Sequence, residues 1–173
     1  MKNIYIYILF LVSSFLVVSC DKEDIGGTAT ESMAGEWYVT AVAIDADGEV
    51  VYEDEDLYNL GSFHLDTYNT ADNVSNEMWI SDNGNFWDFK VKVDILDDEE
   101  MLFTVVDGQN VAYDSKVSIL GVILPNQATT PSGMPADSIS FFVEFDDDTN
   151  PATYGFDSYR VAGYRYTGLA GDE

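Results

Sequence analysis

Few residues of this 173-residue chain have the types and spacing needed for covalent chemistry. Its single histidine, His64, lies within SFHLDTY, a run of strand-forming residues. Nucleophilic hydrolysis needs a hydroxyl or thiol, a base to activate it, and donors for the oxyanion. No Gly-x-Ser-x-Gly turn, the elbow that exposes a nucleophilic serine, occurs in the chain. Ser132 and Ser138 flank a proline-rich stretch with no base close by in sequence. Paired carboxylates can split glycosides, but with 32 acids in the chain a pairing identifies no site. No catalytic residue is therefore named, and the residues point to binding rather than to an enzyme.

Oxygen ligands for a cation are plentiful, yet metal-site spacing is lacking. Ala43-Ile44-Asp45-Ala46-Asp47-Gly48 lacks the first Asp of an EF-hand loop, and Asp54 stands where the closing Glu would be. Asp54-Glu55-Asp56, Asp97–Glu100 and Asp146–Asp148 read as solvated acidic turns, with weak calcium binding in a turn as the alternative. No metal and no cofactor is expected. Cys20 is the only cysteine, which excludes a disulfide within the chain and a cysteine metal cluster.

Cys20 offers chemistry of another kind. Lys2 precedes an apolar run, Ile4–Val18, that is short for a transmembrane helix. The run ends Val17-Val18-Ser19-Cys20, which resembles a bacterial lipobox. The expectation is a signal peptide over residues 1–19 and acyl chains, palmitate among them, on Cys20. Each buried methylene contributes roughly 0.8 kcal/mol, so several chains hold a protein at a membrane. Asp21-Lys22-Glu23-Asp24 resembles the signal that carries lipoproteins of Bacteroidetes to the outer face of the outer membrane. Residues 25–33, rich in Gly, Thr and Ser, read as flexible. The expected organisation is thus a tether over 20–33 and one folded domain over 34–173.

The formal net charge is −25, and Lys2 is the only charge in the first 19 residues, so their removal leaves the chain more acidic still. Such a charge repels nucleic acid and anionic membrane surfaces. Apolar residues at 46 % supply a core and argue against disorder.

The elements that must position any site are strands. In Asn85–Ile95, Trp87, Phe89, Val91, Val93 and Ile95 alternate with Asp88, Lys90, Lys92 and Asp94. That period of two predicts a strand with one face inward and one in water. Further strands are predicted at Gly35–Ile44, Glu49–Glu53, Ser62–Thr70, Glu77–Ser81, Met101–Val106, Val111–Tyr113, Ser138–Asp146 and Tyr154–Thr167, with turn residues between them. Val117–Leu124 is apolar on both parities and reads as a strand buried on both sides or as a barrel staple. In the last run a bulge at Ala162-Gly163 would place Arg160 and Arg165 together on the outer face. The prediction is an all-β protein, a lipocalin-like antiparallel up-and-down barrel of about eight to ten strands; a two-sheet sandwich is the alternative. Gly35-Glu36-Trp37 also resembles the lipocalin-type opening strand.

Aromatic residues from many strands converge inside such a barrel. Either they fill the interior, or they line an apolar pocket. For a pocket, the expected ligand contacts are Trp37, Trp87, Phe89, Val91, Phe141 and Tyr159. Pro125–Asp137 carries three of the four prolines and reads as a long loop folded across one end, with Met134 covering the cavity mouth.

Several stretches together resemble a known family. These are Tyr68–Asp72, Glu77–Ile80, Phe86–Val93, Ala128–Ser138 and Val161–Gly168. They are similar to a family of Bacteroidetes lipoproteins catalogued as lipid-binding putative hydrolases, over nearly all of residues 34–169. The resemblance implies a lipocalin-like barrel on a lipid anchor and assigns no catalytic residue. The leading expectation is a lipid-anchored outer-membrane protein, facing the cell exterior, whose barrel binds an apolar or amphiphilic small molecule. The alternative is a surface interaction or glycan-capture module with a filled barrel, and the third reading is a hydrolase. The membrane is met through the lipid on Cys20, and no nucleic-acid partner is expected.

Overall fold

The computed structural model describes residues 27–172. Alternating apolar and polar residues build strands β1 (Gly35–Ile44), β2 (Val50–Tyr52), β3 (Phe63–Asn69), β4 (Glu77–Ser81) and β5 (Lys90–Asp97). They continue as β6 (Leu102–Gln109), β7 (Lys116–Thr129), β8 (Pro135–Phe145) and β9 (Ser158–Arg165). Two short helices, α1 (Asp54–Leu57) and α2 (Asn150–Tyr154), and a 3-10 turn at Ala170–Asp172 complete the described elements. Every strand is antiparallel to its neighbours in the order β1-β3-β4-β5-β6-β7-β8-β9, and β9 pairs back to β1. The result is a closed, up-and-down barrel of eight strands, with β2 as an extra strand on the end of β1. The all-β barrel expected from the sequence is the fold of the chain.

Closure needs the β1–β9 seam to be tight. Its pairing runs without a shift from Trp37 opposite Arg165 to Ile44 opposite Ser158. A Cβ on Gly163 would lie 1.9 Å from the Tyr38 carbonyl oxygen, so only glycine fits there. The bulge expected at Ala162-Gly163 is therefore absent. Tyr164 turns outward while Arg165 turns inward, and Arg160 and Arg165 stand on opposite faces of β9.

The inward rows fill the barrel. Leu65, Met78, Ile80, Val93, Ile123 and Val161 have essentially no accessible surface. Gly121 leaves the space that Phe103 and Phe141 occupy, for a Cβ there would lie 2.4 Å from the Phe103 ring. Fully burying such side chains contributes roughly 1.5–3 kcal/mol each.

At one end Trp37 is covered by the Arg165 guanidinium, 4.7 Å from the ring centre. The Trp37 indole N–H donates to Thr67 Oγ1 at 2.9 Å, and Thr67 donates to the Met33 carbonyl at 2.6 Å. Thr28 to Ala34 forms hydrogen-bonded turns and Met33 lies in the core, so packing begins before Ala34. The signal peptide, Cys20 and the first part of the tether lie outside the described residues.

Four segments differ from their sequence-based expectation. β5 begins at Lys90, and Asn85–Phe89 form a loop. Asp107 and Gly108 lie within β6, where the register shifts between Val105 and Gly108, and Val111–Tyr113 is not a strand. Tyr154 ends α2, so β9 starts only at Ser158. The proline-rich stretch is no loop across the barrel. It extends the β7–β8 hairpin, with Ala128 opposite Ala136 and Thr129 opposite Pro135. Pro125 falls in the register shift between Leu124 and Ala128 and Pro135 begins β8, both places where a missing N–H costs no ladder bond.

Candidate ligand-binding site

Two places on the barrel bear on ligand binding: its loop-covered mouth and a groove on its outer wall. The mouth lies opposite the Trp37 end and is shaped by a buried carboxylate. Asp82 Oδ1 accepts the backbone N–H groups of Gly84 at 3.0 Å and Phe89 at 2.8 Å. Its Oδ2 accepts those of Phe86, Trp87 and Asp88 at 3.0, 2.7 and 2.9 Å. Charge-assisted bonds of this kind are about twice as strong as neutral ones, and together they hold residues 83–89 in a loop rather than a strand. Asp88 takes a positive φ of 52° within it.

The loop sets two aromatic rings across the mouth. Trp87 stacks on Phe145 with centroids 5.1 Å apart, and Phe86 meets Tyr159 edge-on at 5.2 Å. Tyr58, just after α1, covers them from outside at 5.8 Å from Phe86. A polar chain fastens the cover: Tyr58 and Tyr159 share a hydroxyl hydrogen bond of 2.6 Å, Asn150 donates to Tyr58, and Tyr159 donates to Asp148 at 2.5 Å. Burial first, then the bond to Asp148, pushes the Tyr159 phenol far above its ordinary range, so it stays neutral. Burial likewise raises Tyr58.

The ligand contacts expected from the sequence separate into three places. Trp37, Phe89, Val91 and Phe141 are buried in the packed interior, each with at most 1 % of its surface accessible. A side chain so inaccessible borders no space wide enough for water, so these residues fill the barrel and line no cavity. Trp87 and Tyr159 do meet, at the mouth. Met134 is 48 % exposed at the tip of the β7–β8 hairpin, at the opposite end from the mouth, and covers nothing there. The hydrolytic candidates are also apart. His64 lies on the outer face, edge-on to Tyr38 at 4.1 Å. Ser138 donates to the Gly163 carbonyl, and Ser132 bonds Thr130 and Asp172 near the hairpin tip. Among the described residues no group of three or more His, Cys, Asp or Glu is placed to hold a metal ion.

An open concavity of about 660 Å³ lies outside the barrel wall. Thr104, Leu120 and Phe142 form one outward row across β6, β7 and β8. Its floor is apolar and wet: Val106 is 78 %, Leu120 53 % and Phe142 42 % exposed. The β1–β2 turn, Asp45 to Gly48, forms one wall, and Asp157 and Ser158 close one end. That wall is fixed, because Asp45 Oδ1 accepts the N–H groups of Asp47 at 3.0 Å and Glu49 at 2.9 Å. Asp45, Asp47, Glu144 and Asp157 line the groove and no lysine or arginine does. Its volume falls in the range of about 300–1,000 Å³ typical of small-molecule sites.

Sequence reasoning did not find the groove, although it met the signal. Val117–Leu124 is apolar on both parities because Val117, Ile119 and Ile123 face the core while Leu120 and Leu124 face water. Double burial, the sequence-based reading, is not what the strand does.

A family model described as lipid-binding putative hydrolase matches residues 22–170. No curated protein matches the chain at a significant level.

Proposed function

Because the chain belongs to the family of lipid-binding putative hydrolases, we propose that it binds the apolar part of a lipid or amphiphile in the groove over β6, β7 and β8. The observation that carries this reading is the exposed pair Leu120 and Phe142, with Val106 at the neighbouring register shift of β6, in a walled concavity. The packed interior supports it, since a ligand inside the barrel would have to displace core side chains. An acyl chain laid on the floor removes apolar surface on both partners from water, contributing about 0.8 kcal/mol per buried methylene.

In the same reading the protein is a lipoprotein. The apolar run Ile4–Val18 and the segment ending at Cys20 support a signal peptide followed by acylation of that cysteine. Asp21–Asp24 supports display on the outer face of the outer membrane. The barrel would then collect an amphiphile from the exterior while held close to lipid.

A second reading is favoured by α1, which buries none of its residues. Lifting α1 and Tyr58 would uncover Phe86 and Trp87 and open the mouth to an acyl chain. The two readings separate by methyl-detected NMR titration with a short-chain amphiphile. The groove reading expects the methyl groups of Leu120 and Val106 to shift first. Perturbation confined to residues near Tyr58 would move the site to the mouth.

A further inference from the structure

Resting on the groove reading, we infer that the groove selects amphiphiles with a cationic amine head and rejects fatty acids and other anionic amphiphiles. The floor offers Val106, Leu120 and Phe142 to a hydrocarbon chain without regard to its head. Around that floor stand four carboxylates: Asp45 and Asp47 in the wall, Glu144 on β8, and Asp157 at the end. All four stand on the side of the groove toward Ser118 and Ser158, so a head seated on that side meets negative charge. An ammonium gains from this and a carboxylate or phosphate is repelled, most strongly at low ionic strength where screening is weak.

One of the two wall carboxylates is held in place. Asp45 is fixed by its two backbone N–H donors, and Gly48, with φ of 82°, completes the turn that projects Asp47. Two basic residues flank the groove in the strand register, Arg160 beside Phe142 in the same outward row and Lys116 two residues before Ser118 on the same face of β7, and both lie outside the groove lining. Discrimination therefore comes chiefly from a repulsive element against anions, and one added attraction for amines.

The test uses the full chain and three photoreactive probes with the same dodecyl chain: an alkylamine, an alkanoate and a neutral glucoside. Crosslinks are mapped by peptide mass spectrometry. At low salt the alkylamine is expected to label peptides from β6, β7 and β8 about tenfold more than the alkanoate, with the glucoside between them, and high salt should narrow the gap. Asp47→Asn with Glu144→Gln should bring the amine and the alkanoate together. Asp98→Asn with Glu99→Gln, an equal charge change on the β5–β6 turn, should leave the preference as it is. Should that remote pair erase the preference too, the selection belongs to net charge and the inference falls. Equal labelling by all three probes, lost in Leu120→Asp, would keep the groove and overturn the selectivity. Stronger labelling by the alkanoate, lost in Arg160→Gln, would replace it with anion recognition. Absence of labelling by any probe on these strands would overturn the groove reading itself.

Discussion

Leu120 and Phe142 stand directly opposite each other across β7 and β8, and both point away from the barrel, 53 % and 42 % exposed. Their chain neighbours Ile119 and Phe141 point inward and are almost completely buried. One strand pair thus supplies core and candidate site from adjacent residues. That arrangement lets the two roles be separated by mutation, because a change on one face leaves the other intact.

The register makes a first prediction on β5. Val91→Asp places an unpaired charge in the packed interior and should cost about 3 kcal/mol or more. Lys92→Asp breaks a partly exposed ion pair with Glu77, 2.7 Å in length, and should cost far less. Chemical denaturation of the two variants compares them; equal losses would place the inward face on the wrong parity.

Asp82 is the second test. It holds five backbone N–H groups of the mouth loop, so Asp82→Ala leaves donors unpaired at a cost of about 3 kcal/mol or more. Because Trp87 is set in place by that loop, its fluorescence should move toward that of a solvated indole. Unchanged emission and stability would show that the stacking on Phe145 and the bond from the Trp87 indole to Asp147 position the loop without Asp82.

A third prediction concerns acid. Burial by itself would raise the Asp172 carboxyl, but donation from Ser132 and Thr167 outweighs it and holds the group at about 2. A group lowered on folding binds its proton more readily when unfolded, so its contribution is complete above about pH 4 and disappears as pH falls toward 2. Melting temperature followed from pH 5 to 2 should therefore fall less steeply in Asp172→Asn than in the wild type. Parallel curves would contradict this role of the C-terminal turn.

Much of the fold was legible because local pattern and tertiary environment agree. Gly35–Ile44 and Glu77–Ser81 are strands with the bounds that alternation and turn residues imply. Asn85–Phe89 was not legible, since its alternation continues that of β5 while its conformation is dictated by the side chain of Asp82. Arg165 was misplaced for a related reason. The glycine at 163 reads as a bulge, whereas it serves the close approach of β9 to Tyr38 and keeps the register unbroken. The aromatic set was recognised as convergent, but the sequence holds no measure of how tightly Phe103 and Phe141 close around Gly121. The groove escaped because an apolar residue on an outward parity looks the same in sequence as one buried between two layers.

Membrane attachment makes a fourth prediction. Cys20→Ser should release the protein from the membrane fraction while leaving the circular dichroism of the barrel unchanged. Protease added to whole cells should cut the wild type in the segment before Thr28. Retention of the variant in membranes would contradict the lipoprotein reading, and protection until the outer membrane is broken would place the protein inside.

Native mass spectrometry with lipid extraction tests the central claim most directly. Wild type, the groove variant Leu120→Asp and the mouth variant Tyr58→Ala are isolated in parallel and their bound amphiphile is measured. The substitution at Leu120 lies on an exposed position, so the fold should survive it within about 0.5 kcal/mol. Wild type and Tyr58→Ala are expected to carry the amphiphile, and Leu120→Asp to lose it at least tenfold, as an unfavourable difference of about 1.4 kcal/mol or more requires. Full retention by Leu120→Asp, with loss from Tyr58→Ala, would contradict the groove and place the ligand at the aromatic mouth.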